Sequence, residues 1–173
     1  MDTFTFKYLE IPDIDYELLS FFKNSPIPDI PFQVLDIRDT MEQLPLIKKW
    51  FLDNKAFVSM IAYATNPPRS ETAIHTDHGN CALAVNFPLY NCSTAKTIFY
   101  QCEEKYFKQV TGKSGLDYFD IPKEHATYLD HYVMTKPVLI NLHRPHAVVN
   151  DTDDYRHCLS FRFFRTPLHL LKI

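Results

Sequence analysis

Glycine is scarce in this 173-residue chain, with three residues against twelve prolines. Tight connections must therefore rest on Pro, Asn and Asp. The net charge is only −3, so bulk nucleic-acid binding has no electrostatic support. No apolar run approaches the roughly 20 residues that span a bilayer. The start lacks a basic stretch followed by an apolar one, so no secretory signal is expected. The four cysteines, Cys81, Cys92, Cys102 and Cys158, have no C-x-x-C spacing, which argues against a zinc ribbon. Free thiols in a soluble, cytoplasmic protein are the simplest expectation.

What is abundant is apolar and aromatic. Hydrophobic residues make up 46% of the chain and aromatics 14%, enough for a packed core and too much for disorder. The length suits a single domain over 1–173. No repeat, low-complexity segment or linker interrupts it.

Period-two alternation marks strands. Residues 3–11 put Phe4, Phe6 and Tyr8 on one face. Further strands are expected over 32–37, 55–65, 70–77, 81–89, 94–101, 137–143 and 156–165. Two helices precede most of them. Asp15 can cap the first, which carries Leu18, Leu19, Phe21 and Phe22. Thr40-Met-Glu-Gln43 fits a capping box for a second over 41–54, with Leu44, Ile47, Trp50 and Phe51 as its buried stripe. Residues 112–115 read as a loop tip, and 124–134 fit helix and strand equally. Many strands with early helices predict a mainly β (α+β) barrel or sandwich.

The chemistry concentrates in Ile74-His75-Thr76-Asp77-His78. On a strand, His75 and Asp77 share a face and Thr76 takes the other. A neutral imidazole beside a carboxylate supplies two legs of the two-His, one-carboxylate site that suits non-haem Fe(II). The third leg must come from elsewhere. His143 and His146 both stand in His143-Arg-Pro-His146, with Arg156 downstream. His78 has the wrong parity and suits the rim.

This pattern resembles that of the 2-oxoglutarate/Fe(II)-dependent oxygenases: His-x-Asp, a distal His, then Arg or Lys about ten residues on. The stretch from His146 through Leu159 is similar to the distal half of the aspartyl/asparaginyl β-hydroxylases and prolyl hydroxylases. The resemblance runs from Tyr63 to Phe164 and its spacing favours His146 over His143. It implies a double-stranded β-helix (jelly-roll, cupin-like) barrel with flanking N-terminal helices. It also implies Fe(II) on His75, Asp77 and His146, with 2-oxoglutarate and O2 in the open positions. The activity implied is hydroxylation of a small molecule or protein side chain, with release of succinate and CO2.

Arg156 is then the clamp for the far carboxylate of 2-oxoglutarate, as a guanidinium fork suits a carboxylate. Tyr63 matches a tyrosine that hydrogen-bonds the cofactor in many of these oxygenases, although the usual following Gly is absent. Strand parity adds Asn86, Tyr100 and Ser160 as polar lining of the cofactor pocket. Arg162 has the parity of Arg156 and is expected at the far end of the barrel. The extended middle segment of the β-hydroxylases is not recognisable between Ala95 and Pro137, so the primary substrate does not carry over. Two readings compete: a cupin-like metalloenzyme without 2-oxoglutarate, and a catalytically silent binding module on the same barrel. Arg156 discriminates, since a plain cupin site has no need of it.

Overall fold

The computed structural model describes residues 4–77 and 82–172. The expectations placed on Thr3, His78 and Cys81 lie outside the described residues. The elements run β1 (Phe6–Tyr8), α1 (Asp15–Asn24), β2 (Phe32–Leu35), α2 (Ile37–Gln43), α3 (Pro45–Asp53), β3 (Val58–Asn66), β4 (Ser70–Glu71), β5 (Ile74–Asp77) and β6 (Leu83–Tyr90). They continue with β7 (Lys96–Gln101), β8 (Lys108–Thr111), β9 (Asp117–Ile121), β10 (Thr127–Val133), β11 (Val138–Asn141), β12 (His146–Asn150) and β13 (Arg156–Phe163). Short 3-10 turns fill two of the remaining connections, and a third follows β13.

The strands form two antiparallel sheets, ordered β1-β11-β6-β13-β3-β2 and β10-β7-β12-β5-β9-β8, with β4 paired to β12. This is the expected mainly-β, jelly-roll architecture. Residues 124–134, which fit either element, become a 3-10 turn and β10. The expected loop tip joins β8 to β9.

The first sheet is covered on both faces. Its outer face and the three helices bury Phe21, Phe51, Phe87, Leu159 and Phe161. Its inner face meets the second sheet through Phe99, Tyr132, Met134, Val138 and Ile140. Because side chains alternate, β13 sends Leu159, Phe161 and Phe163 to the helices and Arg156, Cys158, Ser160 and Arg162 to the interior.

The helices differ from expectation in one instructive way. The expected helix over 41–54 is two, broken between α2 and α3. Pro45 disfavours helical geometry in the residue before it, and Leu44 sits at φ −124°, ψ 60°. The first half starts earlier, capped by Asp36, whose side chain accepts from the Asp39 backbone N–H at 2.8 Å. Thr40, expected as the cap, donates instead to the Asp36 carbonyl. The second half is capped from afar. The buried Glu17 carboxylate of α1 accepts from the backbone N–H of Leu46 at 2.7 Å and of Ile47 at 3.1 Å. That satisfies orphan donors of the helix start and complements its dipole. Asp15, expected to cap α1, is its first residue instead, behind Ile14.

Among the described residues no helix is long and apolar enough to cross a membrane. Cys92, Cys102 and Cys158 are free thiols.

Phe161 tests the packing between sheet and helices. It is fully buried, with ring centroids 5.1 Å from both Phe51 and Phe87. Phe161→Ala should destabilise the fold by about 3–5 kcal/mol, read as a lower urea midpoint at unchanged slope. A loss under about 1 kcal/mol would contradict this account of the core.

Candidate metal centre

His75 and Asp77 stand two apart on β5, and β5 pairs with β12 so that His75 and His146 are direct cross-strand partners. Antiparallel partners point to the same face, so this one register brings the three side chains together. Their candidate ligand atoms all lie within 4.8 Å of one another. The imidazole centroids are 4.4 Å apart, and His146 Nε2 is 4.0 Å from Asp77 Oδ2.

The backbone fixes both imidazole tautomers. His75 Nδ1 lies 2.9 Å from the Ala73 carbonyl, and His146 Nδ1 lies 2.8 Å from the Arg144 carbonyl. A carbonyl only accepts, so each Nδ1 carries the proton and each Nε2 keeps its lone pair. Such outer bonds orient the ring and raise its basicity towards a metal. Burial, with His75 close by, pushes His146 down to about 4, so it is neutral at physiological pH. Burial alone would raise Asp77. The Arg162 guanidinium and the two histidines outweigh it and hold the carboxyl well below the usual range. Asp77 is thus ionised and His146 neutral, as binding of a divalent cation requires. His143, the alternative third leg, is exposed in the turn before β12.

All three residues open on one cavity of about 360 Å³. Arg156 lies in it too, 3% exposed, and its Nη1 donates to Asn66 Oδ1 at 2.7 Å. Asp153 pairs with Arg69 and Asp154 accepts from Tyr90, so neither holds Arg156 at the surface. Among the described residues no carboxylate pairs with it. Around the same cavity, Asn86 Oδ1, Tyr132 Oη, Ser160 Oγ and Arg162 Nε are shut off from solvent without a partner. Tyr132 has Thr97 and Asn86 near its hydroxyl, yet no bond of proper geometry forms. Buried polar groups left unsatisfied cost about 1–3 kcal/mol each, and together they fit a polar ligand.

Of the residues expected to line the pocket, Asn86 and Ser160 do, as direct cross-strand partners. Tyr63 and Tyr100 do not, and parity is the reason. Tyr63 is paired with Leu159 on the outer face, where it packs against Phe21. Tyr100 follows Phe99, which is opposite His146, so its own side chain points away, into a cluster with Ile74, Ile121 and Ala147. Arg162 is also corrected. It is not remote: its Nη1 donates to Asp77 Oδ2 at 2.9 Å. Tyr132 and Asn66 had no identifying signal, one lying in a segment of ambiguous period and the other hidden before Pro67.

No family model matches the sequence, and neither does any curated protein. Solved structures do match. One is the epimerase SnoN in complex with Fe3+, alpha ketoglutarate and nogalamycin RO, 11% identical, with 95% of this chain and 80% of that one covered at a TM-score of 0.57. Another is HygX from Streptomyces hygroscopicus with nickel and 2-oxoglutarate bound, 10% identical, covering 95% and 84% at 0.54. An iron-bound HygX structure aligns equally well. At these identities the likeness is one of fold. The chain has the jelly-roll fold of these proteins, with a His-Asp-His cluster inside it.

Two outcomes follow for the metal-free and metal-loaded protein. His75→Ala, Asp77→Ala and His146→Ala should each weaken Mn(II) or Fe(II) binding by at least about tenfold to a hundredfold, measured by calorimetry, while His143→Ala stays within about threefold of the parent. Loss of binding in His143→Ala alone would reassign the third ligand.

The second concerns pH. Burial lowers His146 and also His157. A depressed histidine contributes stability that is present above its unfolded value and lost as pH falls below it. The metal-free protein should therefore lose stability from about pH 6.5 downwards, seen as a falling urea midpoint. A midpoint that is flat or rises towards about pH 5 contradicts this.

Proposed function

We propose that this protein is an Fe(II)- and 2-oxoglutarate-dependent oxygenase that hydroxylates a small molecule or a protein side chain. The observation that carries the reading is Arg156, buried without a carboxylate partner among the described residues in the cavity that also holds the His-Asp-His cluster. A buried guanidinium is costly unless paired. A dicarboxylate that reaches from the metal to Arg156 removes that cost, whereas a metal site working alone leaves it in place.

His75, Asp77 and His146 would hold the iron through two Nε2 atoms and one carboxylate oxygen. When bound, Fe(II) with 2-oxoglutarate and O2 supplies the oxidising power to insert one oxygen atom into a C–H bond, with succinate and CO2 as co-products. Arg156 would clamp the far carboxylate of 2-oxoglutarate with parallel N–H donors. Asn66 holds the guanidinium from behind, at 2.7 Å, and so sets the direction of the fork. The hydroxyls of Tyr132 and Ser160 can donate to the same carboxylate, and the Asn86 amide turns to suit its partners. The apolar inner layer around Phe99 and Ile140 keeps water from this end of the cavity. The wild-type protein would consume 2-oxoglutarate slowly even without its primary substrate.

Binding of 2-oxoglutarate to the Mn(II) protein tests this. Arg156→Lys keeps the charge and loses the fork, and should raise the dissociation constant by roughly 10- to 100-fold, each decade being about 1.4 kcal/mol. Arg156→Ala should raise it further, with Mn(II) affinity in the absence of 2-oxoglutarate nearly unchanged. A folded Arg156→Ala protein that binds 2-oxoglutarate normally, or a parent that never binds it, sinks the proposal in favour of a metal site with other chemistry.

A further inference from the structure

Arg162 is the residue of the cavity whose partners do not account for it. Its side chain is 13% exposed. One donor, Nη1, is taken by Asp77 Oδ2 at 2.9 Å. Its Nε is sealed from solvent with no acceptor. The Phe32 ring lies 5.8 Å from the guanidinium carbon, close enough for a cation–π contact that helps hold the group in place. A guanidinium carries donors on more than one edge. The Asp77 contact uses Nη1 and Nε is closed off, so what the guanidinium shows the cavity is its remaining donors.

Charge balance says what that ligand is. This reasoning rests on the oxygenase reading above. The inner cavity has two fixed guanidiniums, Arg156 and Arg162, and one carboxylate, Asp77. The two histidines act as neutral ligands. A divalent ion adds two positive charges and 2-oxoglutarate removes two. Its two carboxylates are both assigned, one to the metal and one to Arg156. One positive charge remains, on Arg162 beside the metal ligands. At the mouth, Lys113 and Asp117 are of opposite sign and leave the sum unchanged.

We propose that the cavity-facing donors of the Arg162 guanidinium bind a carboxylate of the primary substrate, and that the substrate is a monoanion with an apolar body. The cavity wall fits such a body, since Ile30, Pro31, Phe32, Leu116 and Val148 line it. Anchoring on Arg162 would set a C–H bond near the anion against the metal, because Arg162 touches one of the metal ligands directly. This makes Arg162 a determinant of specificity.

The test uses the full chain at saturating Mn(II) and 2-oxoglutarate. Short alkyl and aryl monocarboxylates are titrated by calorimetry, each beside its own primary amide, which has similar shape without the charge. The wild type should bind the preferred carboxylate at least about tenfold more tightly than its amide, as expected for a charge-assisted pair. Arg162→Gln should bring that ratio close to unity and Arg162→Lys should leave part of it. Because Arg162 also holds Asp77, the variants are compared at saturating Mn(II) and 2-oxoglutarate by the carboxylate-to-amide ratio, which a weakened metal site alone does not change. Four results overturn the inference. A wild type that binds 2-oxoglutarate but shows no carboxylate preference, including one that binds neither ligand, removes the anion site and leaves the oxygenase reading intact. A preference that survives in Arg162→Gln places the anion elsewhere. An Arg162→Gln protein that loses 2-oxoglutarate binding as fully as carboxylate binding assigns Arg162 to the cofactor. A wild type that fails to bind 2-oxoglutarate at all removes the oxygenase reading and this inference together.

Discussion

The double-sided burial of β13 is the constraint on which the rest depends. The strand is central in its sheet, between β6 and β3, and both of its faces are enclosed. One face is aromatic and aliphatic and takes the helices. The other carries Arg156, Cys158, Ser160 and Arg162 into the space between the sheets. Burying two guanidiniums in a domain of this size is expensive, so something must compensate each of them. Asn66 and Asp77 do so in part. The remainder is what gives the cavity its chemical character, since it exposes directed donors to whatever enters.

The His-Asp-His cluster depends on this frame in two ways. Its register comes from β5 and β12, which place His75 opposite His146. Its electrostatics come from β13, because Arg162 keeps Asp77 ionised without occupying the histidines. The two tautomers are set by carbonyls two residues before each histidine, Ala73 and Arg144, so the orientation of the ligands is a property of local backbone. A His-Asp-His set held this way would need little reorganisation to receive a cation.

Much of this was legible beforehand because strands have a strict period. His75 with Asp77, and the whole inner row of β13, follow from counting by two. Tyr63 lies outside the cavity because it is registered with Leu159, of opposite parity to Arg156. That register is a long-range fact, however, and counting within one strand does not supply it. Tyr100 failed for the same reason. Its own strand offers two faces, and which one is inner is decided by the pairing of Phe99 with His146. Helix boundaries were misjudged where a distant group intervened. Glu17, 29 residues before Leu46, caps α3, and no local pattern announces it.

The sequence by itself determined the strand-rich fold, the His-x-Asp pair and the polar inner row of β13, since each is set by side-chain alternation and by spacing along one element. Only the tertiary structure decided the register that sets His146 beside the pair, that Arg162 reaches Asp77, and that Tyr132 and Asn66 face the cavity. Those are contacts between strands far apart in the chain, and their register is fixed by the packing of two sheets whose burial has to be satisfied all at once.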